Sequence, residues 1–214
     1  MQPLRQTRGV EVALVGVDGA GKTTVANHLQ QLPMPIKTIH MGDTNFRTLP
    51  MRLAQKRWVP WPLPQISLHW ERFTRRRTGR RFARAGYVVI YDRHPAEQRN
   101  LHPNTVIAKL NNFLFRFYDQ PVMLIFWLTG DHETIYERKR EHSVKKLRAM
   151  DEHLAEMLSH CPSPYQRIDV TESPLQSVLD HISSCILALY TSSVDTRAAR
   201  AHAPAHPSTT QVPS

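Results

Sequence analysis

Hydrophobic and polar residues follow one another along this chain in two alternating patterns. Five short apolar runs have the length and composition of β-strands, at 10–15, 36–41, 87–92, 122–128 and 166–170. Segments with apolar residues at helical spacing lie between or after them, at about 22–32, 65–85, 105–118, 131–140, 146–159 and 174–190. This order predicts an α/β fold, a parallel five-stranded sheet with helices on both faces.

Three features interrupt this pattern. Trp58–Pro64 contains three prolines and two tryptophans, and we predict an insertion without regular structure there. Gly79 is a candidate break in the helix at 65–85. Residues 191–214 are rich in Ala, Pro, Ser, Thr and His and poor in large apolar residues, which predicts a disordered tail after a single domain at 1–190.

The segment Gly16–Thr24 joins the first strand to the first helix and matches the G-x-x-x-x-G-K-[ST] pattern of phosphate-binding loops. Glycines let consecutive backbone N–H groups surround phosphate oxygens, and the helix N-terminus adds a positive dipole. In such a loop Lys22 reaches the β- and γ-phosphates and the Thr23 hydroxyl coordinates Mg²⁺. We predict that a nucleoside triphosphate binds to Gly16, Asp18, Gly19, Ala20, Gly21, Lys22, Thr23 and Thr24.

Asp92 and Arg93 end the third predicted strand, and Gly16, Gly42 and Gly130 lie at the ends of others. In parallel sheets ligands bind beyond the carboxyl ends of the strands, so these residues should share one crevice. A carboxylate there can hold Mg²⁺ or accept a proton, and a guanidinium can clamp phosphate oxygens. The pair is therefore a candidate part of a phosphoryl-transfer site.

Charge is distributed unevenly in this 214-residue chain, whose formal net charge is +10. Residues 46–86 contain eleven Lys or Arg and one acid, Glu71. Such a region could contact nucleic acid, an acidic membrane surface or a phosphorylated small molecule. Most of its arginines recur at the spacing of a solvated helix face, and no recognition module accompanies them. The sequence does not favour a nucleic-acid partner.

The remaining composition bears on metals and location. Cys161 and Cys185 have no metal-site or disulfide spacing, and the twelve histidines form no ligand motif. No apolar run approaches the length of a signal peptide core followed by a cleavage site or of a membrane span. We expect a cytoplasmic protein without membrane contact.

Gly16–Thr24 and Asp92-Arg93-His94 together resemble the thymidylate kinase family of nucleoside monophosphate kinases. That family has an acidic residue at the place of Asp18 and an Asp-Arg-aromatic motif at the place of Asp92–His94. Asp169–Thr171 resembles its short segment near adenine. The resemblance spans roughly 9–190 and implies a P-loop kinase-type fold with a short lid at about 138–150, ATP as donor and Mg²⁺ as cofactor.

The resemblance also implies roles for single residues. Lys22 and Thr23 would bind the ATP phosphates and Mg²⁺, with Asp92 near the metal. Asp18 would bind a hydroxyl group of the acceptor. The acceptor and its phosphate would be held by Arg72, Arg93 and, with a gap in the alignment, Arg47.

The cation that assists the transferring phosphoryl group should come from the lid, because the loop itself contains no arginine. The lid candidates are Arg138, Arg140, Lys145 and Lys146.

The acceptor side departs from the family. His40–Asp43 stands where the family usually has an arginine and a proline, and His94–Arg99 lacks its Ser/Ala-Tyr pattern. The leading prediction is ATP-dependent transfer to a small phosphorylated acceptor, first dTMP or another nucleoside monophosphate. A kinase of a sugar or other metabolite and a nucleic-acid-stimulated NTPase are the alternatives. The expected partner is a small-molecule phosphate acceptor, and we leave open a homodimer.

Overall fold

The computed structural model describes residues 9–42, 63–94, 97 and 103–202, with the backbone alone for 194–202. The strands of this part are β1 Glu11–Gly16, β2 Ile36–His40, β3 Val88–Asp92, β4 Leu124–Thr129 and β5 Tyr165–Asp169. The helices are α1 Lys22–Leu29, α2 Leu63–Arg84, α3 Val106–Phe115, α4 His132–Arg138, α5 Val144–Ser159 and α6 Leu175–His202.

The five strands form one sheet in the order β2-β3-β1-β4-β5, and every neighbouring pair is parallel. Right-handed crossovers place α1 on one face of the sheet and the helices between β2 and β5 on the other. The last helix, α6, packs against α1 and so covers the first face again. The predicted α/β sheet with helices on both faces is confirmed.

The central strands are buried because helices cover both faces of the sheet. Val12–Val15 of β1 and Val88–Tyr91 of β3 have no exposed surface. Their side chains are mostly apolar on both sides of the strand, which is why the sequence shows continuous apolar runs rather than alternation.

The strand register aligns the carboxyl ends of the strands, where we expect a ligand to bind. Asp92 at the end of β3 pairs with Leu14 of β1 and with His40 of β2. Gly16 at the end of β1 pairs with Leu128 of β4. The carboxyl ends of four strands therefore meet at one edge, where parallel sheets bind their ligands.

Helix α2 corrects two sequence-based expectations. It is continuous through Gly79, so the predicted break is wrong. A glycine costs about 1 kcal/mol relative to alanine within a helix, but here it faces Tyr91, whose ring leaves no room for a side chain. Leu63 and Pro64 begin α2 and are not irregular, because proline is tolerated in a first helical turn. Trp58–Pro62 lie outside the described residues.

Helix α6 ends at His202 and not at 190, so the prediction of a disordered tail is wrong for 191–202. The alanines and arginines at 197–201 have high helix propensity, which explains the continuation. Residues 203–214 lie outside the described part of the chain. Among the helices that the structure describes, none is both long and apolar enough to cross a membrane.

Candidate active site

The phosphate loop runs from the end of β1 to the start of α1. Gly19 and Gly21 have φ angles of 93° and 85°, a left-handed conformation that glycine adopts without strain. Gly21 is the N-terminal cap of α1, and its side-chain position is open, with no atom within 4 Å of a Cβ placed there. This turn presents backbone N–H groups and the N-terminus of a helix toward an open space. The geometry fits an anion such as a phosphate group.

Lys22 lies in the first turn of α1 and is only 7% exposed. Its Nζ donates hydrogen bonds to the carbonyl oxygens of Gly16 at 2.6 Å and Val17 at 2.8 Å. Burial lowers the pKa of Lys22, while nearby acids oppose that shift. The phosphate loop thus holds the ammonium group in place, where it would neutralise the charge of a bound phosphate.

Asp92 meets the end of β2 through His40. His40 Nδ1 lies 2.9 Å from Asp92 Oδ2, and the described residues place no hydrogen bond on Oδ1. Burial raises the pKa of Asp92, but the His40 hydrogen bond and the charges of His40, Lys22 and Arg93 outweigh it and hold the pKa below its usual range. Asp92 is therefore an ionised carboxylate at the carboxyl edge of the sheet.

These residues fit a magnesium ion. The Thr23 side chain is exposed on the first turn of α1, and Asp92 supplies an ionised carboxylate. Mg²⁺ usually takes only one or two protein ligands beside substrate phosphates and water. The described residues contain no group of three or more His, Cys, Asp or Glu side chains suited to hold a metal alone.

Arg93 joins the phosphate loop to the end of β3. Its φ of 74° is positive, which no other described non-glycine residue shows. Such backbone strain costs roughly 1–3 kcal/mol and is concentrated at functional sites. Arg93 Nη2 donates to Asp18 Oδ1 at 2.8 Å, and Nη1 lies 3.7 Å from Glu97 Oε2. The predicted grouping of Asp18, Lys22, Asp92 and Arg93 is what the structure brings together.

Sequence reasoning assigned Glu97 no role. Its side chain is 10% exposed, and Oε1 accepts a hydrogen bond from the His94 backbone N–H at 2.9 Å. Burial raises the pKa of Glu97 to about 7, although the His94 N–H and the charges of Lys22 and Arg93 oppose the rise. A single acid in a loop without periodicity carries no sequence signal of burial, apart from its position five residues after Asp92.

The segment predicted as a lid, at about 138–150, covers the end of α4, the connection at 139–143 and the first part of α5, and the connection contacts the phosphate loop. His142 Nε2 lies 3.4 Å from Asp18 Oδ2, and His142 Nδ1 lies 3.2 Å from Lys146 Nζ. Because an ammonium group can only donate, Nδ1 accepts from Lys146. Asp18 thus contacts both Arg93 at the end of β3 and His142 in the predicted lid, and the sequence analysis did not predict the second contact.

Asp18 stays ionised within this arrangement. Burial raises its pKa, but the charges of Arg93, Lys22 and Lys139 and the Arg93 hydrogen bond bring it below the usual value. Oδ1 is engaged by Arg93 at 2.8 Å and lies 4.0 Å from Lys22 Nζ. The role that the resemblance implies for Asp18, binding a hydroxyl group of the acceptor, stays a prediction.

The lid is anchored at its second helix by Asp151. Asp151 accepts hydrogen bonds from the Trp127 indole at 2.9 Å and the Thr129 hydroxyl at 2.6 Å. His132, at the start of α4, lies 3.3 Å from the same carboxylate. This polar cluster fixes both lid helices to the end of β4 and leaves the short segment between them as the part that reaches the site.

A cleft of about 400 Å³ lies beside the phosphate loop, between the loop and the residues that follow β5. It is lined by Gly21 and Thr24 of the loop, by Arg138, and by Val170 and Leu175 beyond β5. Arg138 Nη2 donates to the Val170 carbonyl at 3.0 Å. The structure therefore places Arg138 at this cleft, while Arg140 is exposed in the lid.

The wall of the cleft after β5 is shaped by Asp169. Its Oδ1 accepts from the backbone N–H groups of Thr171 at 2.8 Å and Glu172 at 3.0 Å, and from the Thr171 hydroxyl at 2.7 Å. These bonds outweigh the effect of burial and lower the pKa of Asp169. The segment predicted to lie near adenine is a rigid turn beside the open cleft.

The predicted acceptor arginines are not all accessible. Arg72 is 4% exposed and lies 5.9 Å from the centre of the Phe115 ring, so it is buried between α2 and α3. Arg47 lies outside the described residues. Arg75, which sequence reasoning missed, pairs with Glu71 at 2.6 Å and donates to the carbonyls of His40 and Gly42, both at 3.0 Å. It thereby binds α2 to the end of β2.

The parallel sheet, the phosphate loop and the short lid define an α/β fold of the P-loop kinase type. No protein-family profile matches the chain, and a search of curated proteins found no match. Among solved structures, the chain is similar to the thymidylate kinase from Candida albicans, with a TM-score of 0.58 over 85% of this chain and 92% of that one. At 20% sequence identity this likeness shows a thymidylate kinase-like fold alone.

Proposed function

We propose that the protein transfers the γ-phosphoryl group of ATP to a small acceptor molecule. The observation that supports this most strongly is the convergence of Lys22 and Arg93 at one edge of the sheet, each within ion-pair distance of Asp18. A phosphate loop alone fits any nucleotide, whereas a strained, carboxylate-bound arginine opposite the loop suits a second substrate.

ATP would lie across the phosphate loop with its base in the cleft beside Arg138. The loop N–H groups and Lys22 would bind the phosphate oxygens and stabilise the charge that spreads over them during transfer. Thr23 and Asp92 would hold Mg²⁺, which when bound neutralises charge on the phosphates. The lid, held by His142 at Asp18, would exclude water from the transfer centre.

The first acceptor to test is a nucleoside monophosphate, because the fold resembles a thymidylate kinase. The Candida albicans enzyme has a broad substrate specificity, so dTMP should be one member of a panel rather than the sole choice. Kinase action on a hydroxyl-bearing metabolite is the second candidate, and the buried carboxylate of Glu97 is the observation that favours it.

The test is release of ADP from Mg·ATP in the presence of nucleoside monophosphates, nucleosides and sugars. We expect acceptor-dependent turnover that is lost in Lys22→Ala and retained in Lys109→Ala, which removes an exposed lysine of α3. A protein that shows no binding of Mg·ATP by calorimetry would contradict the proposal at its first step.

A nucleic-acid-stimulated NTPase gains no support from the basic helix α2. Arg76 is 2% exposed and bonds to Glu11 and the carbonyls of Gln120 and Pro121. Arg77, Arg81 and Arg84 are exposed at the spacing of one solvated face. ATPase stimulation by DNA or RNA at low salt would restore this alternative.

We also keep a homodimer as a proposal. Large apolar side chains are exposed along α2 and α3, among them Ile66 (56%), Trp70 (61%), Leu110 (53%) and Phe113 (53%). Large apolar side chains exposed in this number on two helices are common at protein interfaces. Light scattering of the purified chain would decide between a monomer and a dimer, and Trp70→Glu should weaken the dimer.

A further inference from the structure

Glu97 is a buried carboxylate on the acceptor side of the phosphate loop, and no chemical step has yet been assigned to it. Its two oxygens have different neighbours. Oε1 accepts from the His94 backbone N–H at 2.9 Å, and Oε2 faces Arg93 Nη1 at 3.7 Å. Because the side chain is only 10% exposed, bulk water does not screen its charge well.

The charge of Glu97 acts on the centre of the site. Burial lowers the pKa of Lys22, and among the acids that oppose this shift Glu97 has the largest effect, ahead of Asp18 and Asp92. Arg93 contacts both Glu97 and Asp18, and Asp18 lies 4.0 Å from Lys22 Nζ, so Glu97 belongs to the same cluster of charges as the phosphate-binding lysine.

The surroundings of Glu97 allow it to exchange a proton near neutral pH. The groups that act on it are the His94 N–H, Lys22 and Arg93, which favour the ionised form, and Asp92, which disfavours it. Burial is the largest influence and brings the pKa to about 7. Carboxyl groups whose pKa is raised in this way serve as general acids and bases in enzymes.

The two acceptor classes make opposite demands on such a group. A phosphate monoester has a second pKa of about 6, so it is already ionised at neutral pH and needs cations rather than a base. A hydroxyl acceptor must lose its proton as its oxygen bonds to phosphorus, and kinases supply a carboxylate for this purpose. A buried carboxylate also repels a phosphate dianion at close range.

Within the described part of the acceptor side, Arg93 and Arg75 are already paired with acids. Arg93 contacts both Asp18 and Glu97, and Arg75 pairs with Glu71 at 2.6 Å. A phosphate acceptor would have to compete with these carboxylates for its arginines. The described part of the acceptor side therefore resembles a site for a neutral group more than a site for an anion.

We propose that the acceptor reacts through a hydroxyl group and that Glu97 accepts its proton. This inference rests on the proposed function of phosphoryl transfer. The hydroxyl oxygen bonds to the γ-phosphorus while the bond from that phosphorus to the β,γ-bridging oxygen breaks. ADP leaves with the bridging oxygen, the hydroxyl proton passes to the Glu97 carboxylate, and Glu97 later releases it to water. The product is a phosphate monoester of the acceptor.

A purely structural role for Glu97 is the competing interpretation, since Oε1 caps a local turn at His94. Glu97→Gln distinguishes the structural role from the proton-accepting role. The glutamine amide oxygen can still accept a hydrogen bond from the His94 N–H but cannot take a proton. Glu152→Gln is a matched control on an exposed acid of α5. Thermal unfolding of both variants establishes that they are folded.

The experiment is ³¹P NMR of products from Mg·ATP and paired acceptors, each nucleoside with its 5′-monophosphate and each sugar with its sugar phosphate. We expect new phosphomonoester signals from the unphosphorylated members. With the best acceptor, Glu97→Gln should lower kcat about 100-fold or more, leave the KM for ATP nearly unchanged, and improve binding of the phosphorylated member of the pair. Glu97→Asp should recover part of kcat.

Formation of diphosphates from the phosphorylated members would overturn this inference and leave the proposed phosphoryl transfer standing. Full kcat in Glu97→Gln would likewise overturn it and leave Glu97 as a cap. If the chain binds Mg·ATP but turns over no hydroxyl acceptor of the panel, the inference is also wrong. Absence of Mg·ATP binding would instead contradict the proposed function.

Discussion

The two sides of the phosphate loop are built in different ways. On the donor side, backbone geometry forms the site through Gly19, Gly21 and the turn at Asp169. On the acceptor side, charged side chains form it, with Asp18, Arg93 and Glu97 in contact. Backbone N–H groups suit any nucleoside triphosphate, whereas a particular set of side-chain charges selects its partner. Under the proposed function, the donor side therefore follows a general pattern, and the acceptor side would determine specificity.

Removing Lys22 should have the largest effect, because both sides depend on its charge. We expect Lys22→Ala to lower kcat about 1000-fold, the loss of one strong electrostatic contact in a buried site. Turnover is measured as ADP release, with Lys109→Ala as the control. If kcat fell less than about tenfold, the ammonium group would not act on the transferred phosphate.

The charges of the acceptor side should make stability depend on pH. Glu97 has a pKa of about 7 in the fold against 4.5 in the free group, so the folded state binds its proton more tightly. Its contribution to stability is present below pH 4.5 and is lost as the pH rises to about 7. The loss amounts to roughly 3 kcal/mol. Urea unfolding of the wild type and Glu97→Gln at pH 4.5 and pH 8 measures it, and a constant difference between them would contradict it.

Substitution of Arg93 should affect the proposed acceptor side and leave the donor side almost unchanged. We expect Arg93→Ala to lower kcat/KM for the acceptor about 100-fold, since a charge-assisted contact to the substrate is lost, and to change the Kd for ATP less than about threefold. Calorimetry and steady-state kinetics give the two values, with the exposed Arg116→Ala as the control. Equal effects on both constants would remove the division between donor and acceptor sides.

The two lid arginines should differ on the donor side. Arg138 lines the cleft and bonds to Val170, so Arg138→Ala should weaken ATP binding about tenfold. Arg140 is exposed in the lid, and its loss should lower kcat without changing ATP binding if it supplies the cation for transfer. The same calorimetry and kinetics distinguish these outcomes. If kcat fell in Arg138→Ala but not in the Arg140 variant, Arg138 would be the cation that assists transfer.

His142 should have the smallest effect, because a partly exposed polar contact of 3.4 Å such as that with Asp18 contributes less than about 1 kcal/mol. His142→Ala should speed trypsin cleavage after Lys139 and Arg140 about threefold, since proteolysis follows the fraction of open lid. Mass spectrometry of the fragments reports the cleavage site, and His153→Ala on the exposed face of α5 is the control. Unchanged cleavage would show that the Asp18 contact does not hold the lid.

The fold was readable from the sequence because its central strands are long apolar runs and its phosphate loop needs particular glycines. Lys22, Asp92 and Arg93 were found for the same reason, since Asp92 ends a strand, Arg93 directly follows it and Lys22 directly follows a glycine turn. Their roles remain predictions, because the geometry does not test them. The contacts of Glu97 and His142 could not be predicted. Both residues lie in irregular segments, where neither periodicity nor spacing indicates which atoms a side chain meets.

Gly79 determines how closely helix α2 can approach strand β3. The hydroxyl group of Tyr91 occupies the space where a side chain at 79 would lie, and it donates to Glu11 at 2.7 Å. The guanidinium of Arg76 covers the same ring, 4.4 Å from its centre. The absent side chain thus sets the spacing between α2 and the sheet. Because Asp92 directly follows Tyr91 in β3, a larger residue at 79 would press on the strand that carries this carboxylate.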